Sequence, residues 1–369
     1  MAEIRVERLH KSFGDFVAVR QSDFVVADGE FFVMLGASGC GKTTTLRMIA
    51  GLELPTSGTI TLGGKDVTYQ RARERDIAFV FQLFALYPHM NVRSNMAFPL
   101  KAMGMARKEI HQRVEETARL LRIDHILDKP VSGLAGGDRQ RVALGRAIVR
   151  RPDCFLMDEP LGTLDSEFRD LMVNELRDLH DRIKATTVYV THDQLEAMSM
   201  ADKIAVMHRG VIEQFGTPDE IYHHPATMYV ADFIGSPSMN FVHFDGGLPP
   251  GESTISLSGN TVKLPALVHS AERGEKAIGV RPEHLLINDN SGFRGAIYGS
   301  EYLGTNQILT VDTSHGMLKA RLPSHRRYNI GETVGLEFLT EGLSVFDADS
   351  GRALATSRTP RALQESWHG

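Results

Sequence analysis

The sequence predicts an α/β domain with a mostly parallel sheet, followed by a small all-β domain. Three observations carry this. Short apolar runs at 31–35, 77–81, 155–157 and 187–190 alternate with stretches of helical period up to about residue 235, and such alternation builds a parallel sheet. Beyond Gly235 the helical period gives way to short strand-like pieces broken by Gly, Pro, Asn and Asp, the pattern of a small barrel or sandwich. The chain has 369 residues, enough for two to three domains at about 150 residues each.

Taken in order, the apolar run 31–35 leads into a glycine-rich loop and then a helical stretch, 43–50. A second strand follows at 77–81. Residues 108–122 are helical, because Ile110, Val114, Ala118 and Leu121 recur on one face. A further helix, 139–150, is stopped by Pro152. Residues 155–157 form a buried strand. Phe168, Met172, Leu176, Leu179 and Ile183 form the apolar stripe of another helix, and 187–190 returns to strand. Ser236-Pro237 marks a boundary. Strands are then expected at 277–280, 294–297, 307–311, 318–322 and 333–338. This divides the chain into 1–235, a β-rich 236–355, and a polar end at 356–369 that is expected to fray.

Composition excludes several classes. Apolar residues are 42% and charged residues 24% of the chain, ordinary globular usage rather than disorder. The net charge of −5 argues against a nucleic-acid partner, whose binding domain is usually basic. Two cysteines, Cys40 and Cys154, cannot make a disulfide scaffold and suit a reducing compartment. No apolar run approaches the roughly 18 residues of a membrane helix, and the N-terminus lacks a secretory h-region. The expectation is a soluble, cytoplasmic chain, with docking on a membrane partner left open.

The chemistry is carried by a few segments. Gly36-Ala-Ser-Gly-Cys-Gly-Lys42-Thr43 fits G-x-x-x-x-G-K-[ST] between a strand and a helix, the context of a P-loop. Its glycines allow backbone N–H groups to surround phosphates, Lys42 reaches the β- and γ-phosphates, and the Thr43 hydroxyl ligates Mg²⁺. Asp158 and Glu159 end an apolar strand beside that loop. Asp158 there holds Mg²⁺ through water and Glu159 polarises an attacking water; an exposed acidic turn is the plainer alternative. His192 follows another strand, where it contacts a γ-phosphate or is merely structural. Leu134-Ala-Gly-Gly-Asp138 opens a helix, a second anion site or a simple cap. Because one P-loop already binds phosphates in cis, a second anion site points to a dimer.

These segments together resemble the ATPase subunit of an ABC importer, in its sugar branch (carbohydrate, maltose and glycerol-phosphate uptake). Phe79-Val-Phe-Gln82 resembles the Q-loop, residues 139–149 the helix after the signature, Gly162-Thr-Leu-Asp165 the D-loop, and His192 the switch histidine. Phe233-Ile-Gly-Ser-Pro-Ser-Met-Asn240, Gly279-Val-Arg-Pro-Glu-His284 and Tyr302-Leu-Gly304 resemble the sugar branch. The resemblance implies a P-loop NTPase cassette with a helical subdomain at about 88–150, then an OB-like, TOBE-type domain. It implies ATP and Mg²⁺ as ligands. Nucleotide would be bound by Phe13 (rather than Phe16) on adenine and by Gly36, Ser38, Gly39, Cys40, Gly41, Lys42, Thr43 and Thr44. Ala135, Gly136, Gly137, Asp138 and Asp165 would act across a dimer seam. Thr43, Gln82 and Asp158 would hold the metal, and Glu159, His192 and Gln82 the catalytic chemistry.

The resemblance further implies a homodimer or a paired ATPase subunit. Two transmembrane permeases would dock near Phe84, Ala85, Leu86 and Tyr87, and an extracytoplasmic solute-binding protein would act indirectly. The chain would sit peripherally on the cytoplasmic face of the inner membrane. Two departures stand out. The family's usual L-S-G-G-Q is Leu134-Ala135-Gly136-Gly137-Asp138 here, so a hydroxyl is lost and a carboxylate gained; Gly162 and Thr163 are milder changes. A charge-assisted hydrogen bond is worth roughly 1.5–3 kcal/mol, so weaker closure around ATP is expected. Other readings are a polyamine, anion or iron importer ATPase, an ATP-binding regulatory subunit with weak hydrolysis, and a soluble ATPase acting on nucleic acid. The intact Glu159 and His192 speak against the regulatory subunit. The single cassette and negative charge speak against the nucleic-acid ATPase.

Overall fold

The computed structural model describes residues 2–82, 85–162 and 164–363. The chain divides into two units, Met1–Pro218 and Asp219–Gly369. The first runs β1 (Ile4–Phe13), β2 (Phe16–Val26), β3 (Phe31–Gly36), α1 (Lys42–Ile49), β4 (Ser57–Leu62), β5 (Lys65–Asp66) and β6 (Ile77–Val80). It continues with α2 (Val92–Ala102), α3 (Arg107–Leu120), α4 (Gly136–Ile148), β7 (Cys154–Asp158), α5 (Ser166–Ile183), β8 (Thr186–Thr191), α6 (Gln194–Met200), β9 (Lys203–His208) and β10 (Val211–Gly216).

All ten strands form one sheet, ordered β5-β4-β1-β2-β10-β9-β3-β8-β7-β6. Every residue of β3 and β8 is buried, as in parallel strands covered on both faces. The strands β9, β3, β8, β7 and β6 pair in parallel. The expected parallel sheet is therefore only half of what forms. The pairs β1–β2, β1–β4, β4–β5 and β9–β10 are antiparallel. The cause is local: β1 and β2 are joined by a tight turn at Gly14, whose φ is +57°, and so short a connection permits only antiparallel pairing.

Register in the parallel half positions the site. Leu35 lies opposite Thr191, and Asp158 opposite Val190. The carboxyl ends of β3, β7 and β8 thus share one edge, where open α/β sheets place their ligand sites. Between β6 and β7 the chain makes α2, α3 and α4. Asn91 caps α2 by accepting from Ser94 N at 2.8 Å, and a Cβ on Gly145 of α4 would lie 2.9 Å from Met96 Cε, so α4 and α2 pack closely. On α5 the buried stripe is Met172, Val173, Leu176 and Leu179. Phe168, expected on that stripe, is 42% exposed. Its ring lies instead against Gly137, where an added Cβ would meet Phe168 Cε1 at 2.8 Å.

The second unit contains α7 (Pro218–His223), α8 (Met228–Phe233), β11 (Asn240–Asp245), β12 (Thr254–Leu257), β13 (Asn260–Lys263), β14 (Glu275–Val280) and β15 (Leu285–Ile287). It ends with β16 (Arg294–Tyr302), β17 (Asn306–Thr313), β18 (Gly316–Pro323), β19 (Thr333–Phe338) and β20 (Leu343–Asp347). Three sheets form, ordered β11-β14-β20, β12-β13 and β15-β19-β16-β17-β18. Their inward residues, among them Val242, Leu257, Ile278, Leu309 and Val334, share one core. Asn240 stitches two sheets, donating to Val280 O at 3.1 Å and Lys319 O at 2.9 Å.

Two boundaries differ from the expectation. The units divide at Pro218 rather than 235, because buried Arg281 draws α7 and α8 to the β-rich unit. Its guanidinium donates to Ala231 O at 3.0 Å, Tyr222 O at 2.9 Å and Ile234 O. At the other end the chain does not fray from Thr356. Ser357 N donates to Ala266 O at 2.7 Å, and Thr356, Thr359 and Leu363 are buried. Residues 364–369 lie outside the described residues.

One ion pair in this unit makes a stability prediction. Lys276 Nζ lies 2.8 Å from Asp347 Oδ2 with its side chain only 3% exposed. The hydrogen bond from Lys276, together with those from Ser350, pulls the Asp347 carboxyl down to about 2. A depressed carboxylate pKa contributes stability that is full above the unfolded value and is lost as pH falls through the folded one. Here that window runs from about pH 4 down to about pH 2. Asp347→Ala leaves a buried ammonium without its partner and is expected to cost about 3–5 kcal/mol. Thermal unfolding at pH 7 checks this; an unchanged midpoint removes the pair from the stability of this unit.

Candidate active site

The site is built where β3 runs out. A Cβ on Gly36 would lie 2.3 Å from Met207 O, and one on Gly41 2.6 Å from Ala18 O. Neither position admits a side chain. Gly41 also has φ of +109° and is the N-cap of α1, so the loop turns sharply and offers the amides of the first helical turn. Such free N–H groups with the helix dipole favour an anion. Ser38 and Gly39 are exposed on the loop, Cys40 is buried beneath it and Thr44 is half-buried.

Lys42 is 4% exposed. Its ammonium donates to Gly36 O at 2.7 Å and Ala37 O at 3.0 Å, with Cys40 Sγ at 3.7 Å. These partners are neutral, and a buried cation among neutral groups suits an anionic ligand. The Thr43 hydroxyl donates to Asp158 Oδ1 at 2.9 Å. Burial pushes the Asp158 carboxyl up; the Thr43 hydrogen bond opposes this and the neighbouring Glu159 charge adds to it.

Glu159 is the meeting point. Its Oε2 accepts from Gln82 Nε2 at 3.3 Å and lies 3.3 Å from His192 Nδ1. Its backbone N donates to Val190 O at 2.9 Å, and its φ is +43°. That left-handed conformation costs a non-glycine residue about 1–2 kcal/mol, and such strain clusters at functional sites. The bond to β8 and the turn closed by Gly162 N on Glu159 O, at 3.2 Å, hold it there. Among the described residues no three His, Cys, Asp or Glu side chains converge on one metal position. The Thr43 hydroxyl and the Asp158 carboxylate form a pair of oxygens at the loop, and Gln82 reaches Glu159 through its amide nitrogen.

The structure therefore gathers Lys42, Thr43, Gln82, Asp158, Glu159 and His192 at one edge. Among the described residues no hydrogen bond or ion pair joins Ala135, Gly136, Gly137, Asp138, Asp165 or Phe13 to that group. Ala135 is the N-cap of α4 without a side-chain cap bond. Asp138 lies 3.6 Å from Arg141, which is itself paired with Glu175 at 3.1 Å, so its charge is partly offset within the chain. Asp165 caps α5, accepting from Phe168 N at 3.0 Å. Phe13 and Phe16 pair across the β1–β2 turn and are 47% and 63% exposed; Lys11 lies 4.6 Å from the Phe13 ring centroid.

Phe84 and Thr163 lie outside the described residues. Of the other expected docking residues, Ala85 O accepts from Arg146 Nη1 at 2.6 Å and the Tyr87 ring packs on Phe98 at 4.5 Å. Leu86 is half-buried. Arg169 has no local signal in the sequence; besides Leu164, five residues before it, its partners Asp193 and Glu196 are brought near only by folding.

Residues 19–162 match the ABC transporter family and residues 278–346 the TOBE domain. The chain is 43% identical to the trehalose import ATP-binding protein SugC of Mycobacterium tuberculosis, over 96% of this chain and 98% of that one. It is 44% identical to the sn-glycerol-3-phosphate import ATP-binding protein UgpC of Ruegeria sp. and to the trehalose/maltose import ATP-binding protein MalK of Thermococcus litoralis. In both cases 96% of this chain and all of the relative are covered. Among solved structures, cbiO1 of Clostridium perfringens, part of the ABC transporter complex cbiONQ, matches with a TM-score of 0.56. The two are 28% identical, over 59% of this chain and 89% of that one.

Proposed function

The chain belongs to the ABC transporter family as an import ATP-binding protein, and from that premise we propose that it hydrolyses ATP to power import of a sugar or related polyol. The observation that carries the catalytic part is the convergence of Gln82 and His192 on Glu159 Oε2 beside the buried Lys42 and the Thr43–Asp158 pair. The solute class rests on relatives whose names specify trehalose, maltose and glycerol-3-phosphate import.

Lys42 and the amides at the start of α1 bind the triphosphate, and Thr43, Asp158 and Gln82 would hold Mg²⁺, which when bound would supply neutralisation of charge on the transferring phosphoryl group. Glu159 accepts a proton from the attacking water while Gln82 and His192 hold the carboxylate in orientation. Phe13 presents an exposed ring for the adenine. Ala135, Gly136, Gly137, Asp138 and Asp165 complete the nucleotide site of a second ATPase subunit. Two permeases dock near Phe84, Ala85, Leu86 and Tyr87, and an extracytoplasmic protein selects the solute. No helix among the described residues is long and apolar enough to cross a membrane, which fits a peripheral subunit on the cytoplasmic face. Co-purification of the chain with its permeases, and solute uptake that stops without ATP, tests this reading; uptake that continues without the chain overturns it.

The unusual signature gives a further expectation. Ala135 supplies no hydroxyl at the N-cap of α4, where serine typically adds about 1 kcal/mol. Asp138 keeps a carboxylate at the same end, only partly offset by Arg141. Ala135→Ser combined with Asp138→Gln is expected to raise ATP turnover roughly fivefold if one restored contact of about 1 kcal/mol acts in the transition state. Steady-state phosphate release checks this. No rise would mean that the signature is already matched to its site.

A further inference from the structure

Glu159 and His192 lie on separate segments. Glu159 opens the loop that follows β7 and ends at the cap of α5. His192 occupies the turn between β8 and α6. Their contact, 3.3 Å between Glu159 Oε2 and His192 Nδ1, depends on both segments keeping their places.

One side chain reaches both. Near the start of α5, Arg169 Nη2 donates to Leu164 O at 3.1 Å, at the far end of the Glu159 loop. Its Nη1 donates to Asp193 Oδ2 at 3.1 Å, the residue after His192. Its Nε lies 3.8 Å from Glu196 Oε1. Asp193 Oδ1 caps α6, accepting from Leu195 N at 2.8 Å and Glu196 N at 3.2 Å. Glu196, 4% exposed, accepts at Oε2 from the Tyr189 hydroxyl at 2.8 Å and the Thr191 hydroxyl at 2.7 Å. Thr191 Oγ1 in turn accepts from Asp193 N at 3.0 Å. Both neighbours of His192 therefore belong to one network, and Arg169 closes that network onto the Glu159 loop.

We propose that Arg169 is a positioning residue for hydrolysis, stapling the Glu159 loop to the His192 turn so that the two side chains keep their contact. The proposal rests on the roles given above to Glu159 and His192. The chemistry suits arginine. Its planar fork presents donors in fixed directions, so one group serves a carbonyl and a carboxylate together. Placement matters because a shift of about 1 Å in catalytic geometry can cost a hundredfold in rate. None of the Arg169 partners belongs to the P-loop, so nucleotide binding is left untouched.

The test is made on the full chain, with steady-state phosphate release and ADP binding by calorimetry. Arg169→Met is expected to lower kcat at least tenfold, with KM and the ADP dissociation constant within about twofold of wild type. In a His192→Ala background the same change is expected to lower the residual kcat less than twofold, because the contact it protects is gone. A kcat within threefold of wild type, or an equal fall in both backgrounds, overturns the proposal. Should Arg169→Met fail to bind ADP, Arg169→Lys is judged in its place. It keeps a charge beside Asp193 but cannot also grip Leu164 O. A fall of about threefold that disappears without His192 supports the staple, and an unchanged kcat overturns it. If Glu159→Gln or His192→Ala alone hydrolyses ATP at the wild-type rate, the catalytic reading fails and the staple falls with it. If both are impaired and the Arg169 variants are not, the staple alone fails.

Discussion

Glu159→Gln is expected to reduce ATP turnover at least a hundredfold while leaving nucleotide binding within a factor of two. The magnitude follows from general-base catalysis, which contributes about 10²- to 10⁴-fold. The geometry makes this a clean substitution. Glutamine is isosteric, and its amide oxygen can still accept from Gln82 Nε2, now 3.3 Å from Glu159 Oε2. What it lacks is the basicity to take a proton from water. The phosphate contacts come from Lys42 and the start of α1, which the substitution does not touch. ATP should therefore bind and remain uncleaved, and a paired, ATP-bound species should accumulate on size exclusion. Phosphate release measured beside calorimetric binding separates the two effects. Hydrolysis within threefold of wild type would remove Glu159 from the role of base.

Lys42→Ala is expected to have the second largest effect, on binding as well as turnover. A hydrogen bond to a charged group contributes about 1.5–3 kcal/mol, which is roughly a 10- to 150-fold loss of ATP affinity. The folded chain should tolerate the change. Lys42 is buried with neutral partners, so no ion pair is broken and no carboxylate is orphaned. Gly36 O and Ala37 O lose a donor, so a stability cost of about 1–3 kcal/mol is the expected companion. Unchanged calorimetric affinity would show that this loop is not the phosphate site. Lost affinity with a collapsed melting temperature would show that Lys42 acts through the fold instead.

The parts of the fold legible in the sequence are those with one dominant local pattern. The apolar runs that become β3, β7 and β8 are buried throughout their length and bounded by loops, so composition alone reveals them. The amphipathic period of α3 is equally plain, with Ile110, Val114 and Ala118 buried. The β1–β2 hairpin is only partly visible, because residues 1–6 alternate like a strand and β1 begins at Ile4, but the pattern does not continue. Three register shifts in its pairing break the alternation that identifies a strand. Pro99 lies inside α2, where proline ordinarily signals a helix end. The helices α7 and α8 have six residues each, too few to show a period, and what assigns them to the second unit is Arg281, some fifty residues later.

The candidate site divides in the same way. Lys42, Thr43, Asp158 and Glu159 are legible because a phosphate loop and a strand-end carboxylate impose spacing on the chain itself. Gln82 depends on resemblance, and His192 is marked only by its place after a strand, where an imidazole is equally well structural. Arg169 carries no local signal at all. An arginine on a helix with charged neighbours looks like a solvated face, and its meaning comes from Asp193 and Glu196 being carried to it by β8 and α6.

The left-handed backbone at Glu159 restricts the evolutionary paths open to this position. Glycine and asparagine would relax the main chain there, yet glycine has no side chain to contribute and asparagine offers a shorter, non-basic one. Aspartate keeps the charge and tolerates the conformation better than most residues, but it falls one methylene short of the place where Gln82 and His192 converge. Every replacement that eases the conformation thus forfeits reach or basicity, while β-branched residues would meet the steepest conformational penalty. Neutral drift should be nearly closed at this codon, and a lineage that replaced Glu159 by glycine or asparagine would relax the main chain at the same step. A decayed, non-hydrolysing descendant of this chain could therefore persist as a well-folded protein, and its silence would have to be recognised from this one position rather than from any sign of structural decline.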